Sequence, residues 1–212
     1  MKTAATFLLA FFFFLSNLLT AQQKQYIFFL HNKFLEGHSF AEKHPQYGIA
    51  EYAPILNKLK DKNTVIISEK RPDQTDPEMY ARKVITQIDS LKNKGVSPQN
   101  MSIVGTSQGG YIAQYVSYYA KNPDLKFVII GSSFKDDSLN KDPDFKLYGK
   151  VLSITEKSDE GHVPLSSQKR LKNSKLKTFK EIEVNTGMKH GFLFKALDIW
   201  INPTKEWIHK KF

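Results

Sequence analysis

The chain has 212 residues, 41% of them hydrophobic and 13% aromatic, and a formal net charge of +10. That supply of apolar side chains is enough for one sizeable core, which excludes a disordered or low-complexity chain. It contains no cysteine, which excludes disulfides, thiolate metal sites and a lipid-bearing cysteine, so stability has to come from packing.

At the N-terminus, Lys2 precedes an almost wholly apolar stretch from Phe7 to Leu15. Ser16-Asn17 breaks that stretch, and Leu18-Leu19-Thr20-Ala21 ends it on a small residue. This is the layout of a secretory signal peptide, residues 1–21, with a single domain over 22–212 and a secreted or periplasmic destination. The apolar core is shorter than the roughly 20 residues a membrane span needs, so no stable span is expected after cleavage.

Tyr26 to Leu30 is a continuous β-branched and aromatic run, as in a strand buried on both faces. His31 to Pro45 is irregular and polar. Apolar residues from Ile49 to Leu59 fall near helical spacing, and Thr64 to Ser68 reads as a second strand. Asp76-Pro77-Glu78 combines a cap, a proline at the first helical position and an acid in the first turn, so it starts a helix, which Gly95 stops. Strands follow at Met101–Val104, Phe127–Ile130, Val151–Ile154 and Phe179–Val184. Helices are expected at Gly109–Ala120, Ser166–Leu171 and Phe192–Ile199, and a further one at Thr204–Ile208. The stretch from Phe134 to Tyr148 is polar and too short for a large cap domain.

Strands alternate with helices throughout. The pattern is that of a three-layer α/β sandwich: a mostly parallel sheet of about six strands with helices on both faces and ligands beyond the carboxyl ends of the strands. The positive charge does not mark a nucleic-acid partner. The lysines are scattered, and only Lys169, Arg170, Lys172, Lys175 and Lys177 come near to a cluster, without the interleaved aromatics of a stacking platform. His31, His38 and His44 match no common zinc spacing, so no metal is expected. Glu69 and Arg71 are expected to pair at the surface, and the tyrosines from Tyr111 to Tyr119 to pack.

Three loops at strand ends carry chemistry. Val104-Gly105-Thr106-Ser107-Gln108-Gly109-Gly110 has G-x-S-x-G spacing between a strand and a helix. Glu156-Lys157-Ser158-Asp159-Glu160 follows the fifth strand, and Thr186-Gly187-Met188-Lys189-His190-Gly191 the sixth. A serine hydroxyl is a poor nucleophile unless a base takes its proton, and the base needs an acid to fix its tautomer. All three parts are present in the order serine, acid, histidine. In a strand-to-helix elbow the positions two before and two after the serine, Gly105 and Gly109, must lack side chains. Glu156 and Glu160 compete with Asp159 as the acid, and His162 with His190 as the base.

This constellation resembles the α/β-hydrolase family over about residues 25–210, in a small version without the two strands that usually open the fold. The resemblance implies Ser107 as nucleophile, Asp159 as acid and His190 as base. Asp159-Glu160-Gly161-His162-Val163-Pro164 looks like the family's acid loop, and His190-Gly191-Phe192 like its histidine loop. It also implies an oxyanion hole from the amides of Gln108 and of Lys33 or Phe34. There the family's His-Gly is His31-Asn32, and Asn tolerates left-handed dihedrals better than most residues. The implied activity is hydrolysis of an ester or acyl small molecule through an acyl-enzyme, without a cofactor. A non-catalytic binding protein on the same scaffold, or a peptidase or thioesterase, stands as the alternative.

Overall fold

The computed structural model describes residues 24–212; the signal segment expected over 1–21 lies outside them. In β1 (Gln25–Leu30), Ile27 and Phe29 alternate with Phe28 and Leu30 between two buried faces. The irregular stretch that follows holds one helical turn, α1 (Phe34–Gly37), and a short antiparallel hairpin of β2 (Lys43–His44) and β3 (Gly48–Ile49). Two-residue strands are too short to show alternation, so nothing in the sequence marks them. Ile49 therefore belongs to β3, and α2 (Tyr52–Leu59) starts after it.

The next elements are β4 (Thr64–Ile67), α3 (Pro77–Asn93), β5 (Met101–Thr106), α4 (Gln108–Ala120) and β6 (Lys126–Ile130). The start of α3 is as read: the Asp76 carboxylate accepts from the Met79 amide at 2.7 Å. They are followed by β7 (Tyr148–Glu156), α5 (Lys169–Lys172), β8 (Lys175–Val184) and α6 (Asp198–His209). The six long strands form one sheet in the order β4-β1-β5-β6-β7-β8, and every neighbouring pair is parallel. Ile55 and Leu59 of α2 and Trp200, Ile201, Trp207 and Ile208 of α6 bury one face. Ala81, Val84 and Ile88 of α3 and Ile112, Ala113 and Val116 of α4 bury the other. No helix among the described residues is long and apolar enough to cross a membrane.

Three expectations near the C-terminus are corrected. The helix expected at Ser166–Leu171 is a 3₁₀ turn, Leu165–Ser167, followed by the single turn of α5. Phe192–Ile199 is not a helix. A 3₁₀ segment covers Lys189–Phe194, the chain is extended at Lys195, and α6 starts at Asp198 and runs through Thr204–Ile208 as one helix. Pro203 lies inside α6 and cannot donate to the carbonyl of Ile199. Ile199 is 45% exposed, so water can serve that carbonyl, while Trp200, Ile201, Thr204, Trp207 and Ile208 hold the buried stripe together.

The polar stretch from Phe134 to Tyr148 packs onto the domain. Asp137, Leu139, Phe145 and Leu147 are buried, and the Phe145 ring stacks on Tyr118 of α4 at 4.7 Å. Asp137 is paired there with Arg170, a partner distant in sequence.

Candidate active site

The elbow between β5 and α4 is built by close backbone approach. A side chain at Gly109 would collide with the carbonyl oxygens of Leu30 and, at 2.8 Å, His31; one at Gly105 would run into the Gly109 carbonyl and lie 2.6 Å from the Gly110 nitrogen. With both positions bare, the chain can close around Ser107, which stands at φ 50°, ψ −118°, where few non-glycine residues are found. Its amide donates to Ile130 O at 2.9 Å, and its carbonyl accepts from Ser132 Oγ at 2.7 Å. The side chain is thereby held off the sheet, at the N-terminus of α4. Gln108 is the first residue of that helix, where no carbonyl one turn behind accepts its N–H.

Ser107, His190 and Asp159 come together although they are far apart in sequence. His190 Nε2 lies 2.9 Å from Ser107 Oγ, and His190 Nδ1 lies 2.6 Å from Asp159 Oδ2. A carboxylate only accepts, so Nδ1 carries the imidazole proton and Nε2 is free to accept from the serine hydroxyl. Asp159 is 6% exposed.

The competing residues sit elsewhere. β7 runs to Glu156, two residues past the expected end at Ile154, so Asp159 stands three residues beyond the strand. The buried carboxylate of Glu156 accepts from Ser158 N and Oγ and from Thr186 N and Oγ1. Burial pushes it up, but these hydrogen bonds prevail and hold it below the ordinary carboxylate range. Ser158 Oγ in turn accepts from Lys189 N at 3.0 Å. Glu156 thus ties the loop bearing Asp159 to the loop bearing His190 without touching the imidazole. Glu160 is exposed and paired with Lys189. His162 Nδ1 faces the Asp159 carbonyl at 3.1 Å, and its Nε2 lies 3.5 Å from Glu183.

The loop after β1 is organised from behind. Lys33 is exposed and caps α1; Phe34 opens that turn. Asn32 is not in the left-handed region that its place in the family's motif suggests; its side-chain oxygen accepts from Leu35 N at 3.4 Å. Arg71 corrects the expectation of a surface pair, being 1% exposed. Its Nε donates to Glu36 at 2.9 Å and its Nη2 to the His31 carbonyl at 2.6 Å and the Asn32 carbonyl at 3.5 Å. Its backbone amide donates to His31 Nε2 at 2.9 Å, while His31 Nδ1 donates to the Asn32 carbonyl at 2.7 Å. The peptide bond is trans, so drawing the Asn32 carbonyl toward His31 and Arg71 turns the Lys33 N–H the opposite way. No sequence signal separates this buried arginine from a surface one. Glu69 does pair at the surface, with Lys83 and Tyr80.

Burial, with the charge of Arg71 adding to it, lowers the His31 pKa from 6.5 to about 4. Between these values the unfolded chain binds more protons than the folded one. The stability contributed by neutral His31 is full above about pH 6.5 and is lost as the pH falls toward 4. The thermal midpoint should fall over that window, and His31→Gln should flatten the fall. An equal slope in both proteins, followed by calorimetry, assigns the acid sensitivity to other groups.

Among the described residues no group of three or more His, Asp or Glu side chains is placed to hold a metal ion. His38 stacks on Phe34 and His44 on Tyr47. An open cleft of about 310 Å³ adjoins His190, lined by Gln46, Tyr47, Phe134, Asp159, Glu160 and Lys189. Tyr47, on the unforeseen hairpin, and Phe134 carried no signal as site residues in the sequence.

No protein-family model matches the chain, and no curated protein matches it in sequence. Solved structures match it in fold. SOBER1 of Arabidopsis thaliana is 15% identical with a TM-score of 0.57, over 87% of this chain and 97% of its own. An arylesterase is 14% identical with a TM-score of 0.56, over 89% and 78%. YbtT, a type II thioesterase from the yersiniabactin biosynthetic pathway, is 10% identical with a TM-score of 0.57, over 89% and 95%.

Proposed function

We propose that this chain, which has the α/β-hydrolase fold, is an exported serine hydrolase that cleaves ester-like bonds of small molecules. The observation that carries the reading is the relay from Ser107 Oγ through His190 to Asp159, at 2.9 Å and 2.6 Å. Ser107 attacks the acyl carbon while its proton passes to His190 Nε2. Asp159 holds the imidazole and stabilises its cation. The amides of Gln108 and of Lys33 or Phe34 receive the oxyanion. His190 then returns the proton to the leaving oxygen, and water releases the acyl group from Ser107 by the same route. No step calls for a cofactor.

An arylesterase and a type II thioesterase are among the structural neighbours, so esters and thioesters are both tried. The test is labelling with a fluorophosphonate probe followed by a panel of esters and thioesters. Mass-spectrometric location of the probe on Ser107, with turnover of at least one ester, is the expected result. A folded protein that neither labels nor hydrolyses would favour the binding-protein alternative. The export reading rests on residues 1–21 and is tested by N-terminal sequencing of the mature protein, which should begin near Gln22.

A further inference from the structure

The cleft beside His190 has a composition of its own. Two aromatic rings flank the imidazole: Phe134 at 5.9 Å between centroids and Tyr47 at 6.4 Å, tilted by 53° and 57°. Neither ring is loosely placed. Tyr47 stacks on His44 at 4.5 Å, leans on Phe194 at 5.4 Å and lies over Gly191, where a side chain would come within 2.8 Å of it. Phe134 bridges to His162, and its carbonyl accepts from buried Gln168 at 2.8 Å. Both rings are half-buried, so each keeps a surface for a ligand. The rim is polar, with Gln46 and the Lys189–Glu160 pair.

The position of the cleft says which part of a substrate it would meet. Its lining includes His190 and Asp159 but neither the elbow residues Ser107 and Gln108 nor Lys33 and Phe34. The acyl carbon must sit against the serine and the oxyanion donors. The atom that receives the proton of His190 is the oxygen of the departing alcohol, and that alcohol lies on the imidazole side.

We propose that the cleft formed by Tyr47, Phe134 and His190 seats the leaving alcohol and selects alcohols that carry an aromatic ring. This rests on the serine-hydrolase reading. In the step concerned, the bond from the acyl carbon to the alcohol oxygen breaks as the acyl group stays on Ser107 Oγ, and the proton on His190 Nε2 passes to that oxygen. Edge and offset contacts with two fixed rings favour an arene over a saturated ring of similar size. The volume suffices, since a cavity of about 150 Å³ already holds benzene.

The experiment compares kcat/KM for benzyl acetate and cyclohexylmethyl acetate, both esters of primary alcohols, in the wild type and in Tyr47→Leu and Phe134→Leu. Reading the ratio cancels any loss common to both substrates, and circular dichroism reports folding of each variant. The wild type should prefer the benzyl ester about tenfold, as expected for two aromatic contacts, and each variant should bring the ratio to about threefold or below. A second pair, ethyl phenylacetate and ethyl cyclohexylacetate, moves the ring to the acyl side, and no such preference should follow it there. A wild-type ratio near one, a ratio untouched in both folded variants, or a preference that follows the ring to the acyl side overturns the proposal. If Ser107 takes the fluorophosphonate and the benzyl ester is not turned over, the leaving-group assignment fails and the hydrolase reading stands. If Ser107 does not react at all, both fail.

Discussion

Ser107→Ala is expected to lower kcat by about 10⁶-fold, the loss typical when the nucleophile of such a relay is removed. The protein should stay folded, with its thermal midpoint within about 2 °C of the wild type, because the change deletes one half-exposed hydroxyl. A companion variant separates chemistry from strain. Ser107 stands at φ 50°, a conformation that costs a side-chain-bearing residue about 1–3 kcal/mol and costs glycine little. Ser107→Gly should be equally inactive yet more stable, by about 1 kcal/mol after the entropy of a freer unfolded chain is subtracted. Turnover at the wild-type rate by folded Ser107→Ala would sink the serine mechanism.

The second large effect is at Asp159. Asp159→Asn should lower kcat by about 10³–10⁴-fold and change KM little, since the acid orients the imidazole without meeting the substrate. The asparagine amide can donate to Nδ1, which then accepts and moves the imidazole proton to Nε2. That nitrogen can no longer take the proton of Ser107. Glu156→Gln should behave differently. Its carboxylate accepts from both partner loops, and a glutamine puts an amide where donors converge. The expected result is a lower thermal midpoint at neutral pH, with kcat reduced less than about tenfold. The folded-state carboxyl is held below its ordinary range, so its stabilisation is present above the unfolded value near 4.3 and is lost as the pH falls through the folded one. The stability difference between Glu156→Gln and the wild type should therefore narrow on acidification. A crippled Glu156→Gln beside a mild Asp159→Asn would reverse the assignment.

Features fixed by neighbours in the chain were legible in the sequence. The alternation of apolar runs with amphipathic stretches specified the six long strands and the helices α2, α3 and α4, but not the C-terminal helix bounds, because a strand's burial pattern and a helix's spacing are local. The glycines at 105 and 109 flank one serine, and the cause of their bareness is the elbow itself, where the chain doubles back on β1 and on its own next turn. The order of the three chemistry-bearing loops was legible for the same reason, since each follows directly on a strand.

What only the tertiary structure decided are the pairings between residues remote in sequence. Asp159, Glu156 and Glu160 lie within five positions of one another; the family resemblance pointed to Asp159, but composition alone does not say which faces His190. The length of β7 decides it, by placing Glu156 inside the sheet edge and Asp159 on the turn beyond. Arg71 and Arg170 look like members of a basic surface until folding puts Glu36 and two loop carbonyls around one and Asp137 around the other. A buried charge requires partners, and those partners come from other elements. The two helices expected at Phe192–Ile199 and Thr204–Ile208 are replaced by one, α6, which passes through Pro203 with buried Trp200 on one side of it and buried Trp207 on the other. Tyr47 and Phe134 reach His190 only because a two-residue-strand hairpin and the chain after β6 meet over the same strand ends, a juxtaposition that no local pattern encodes.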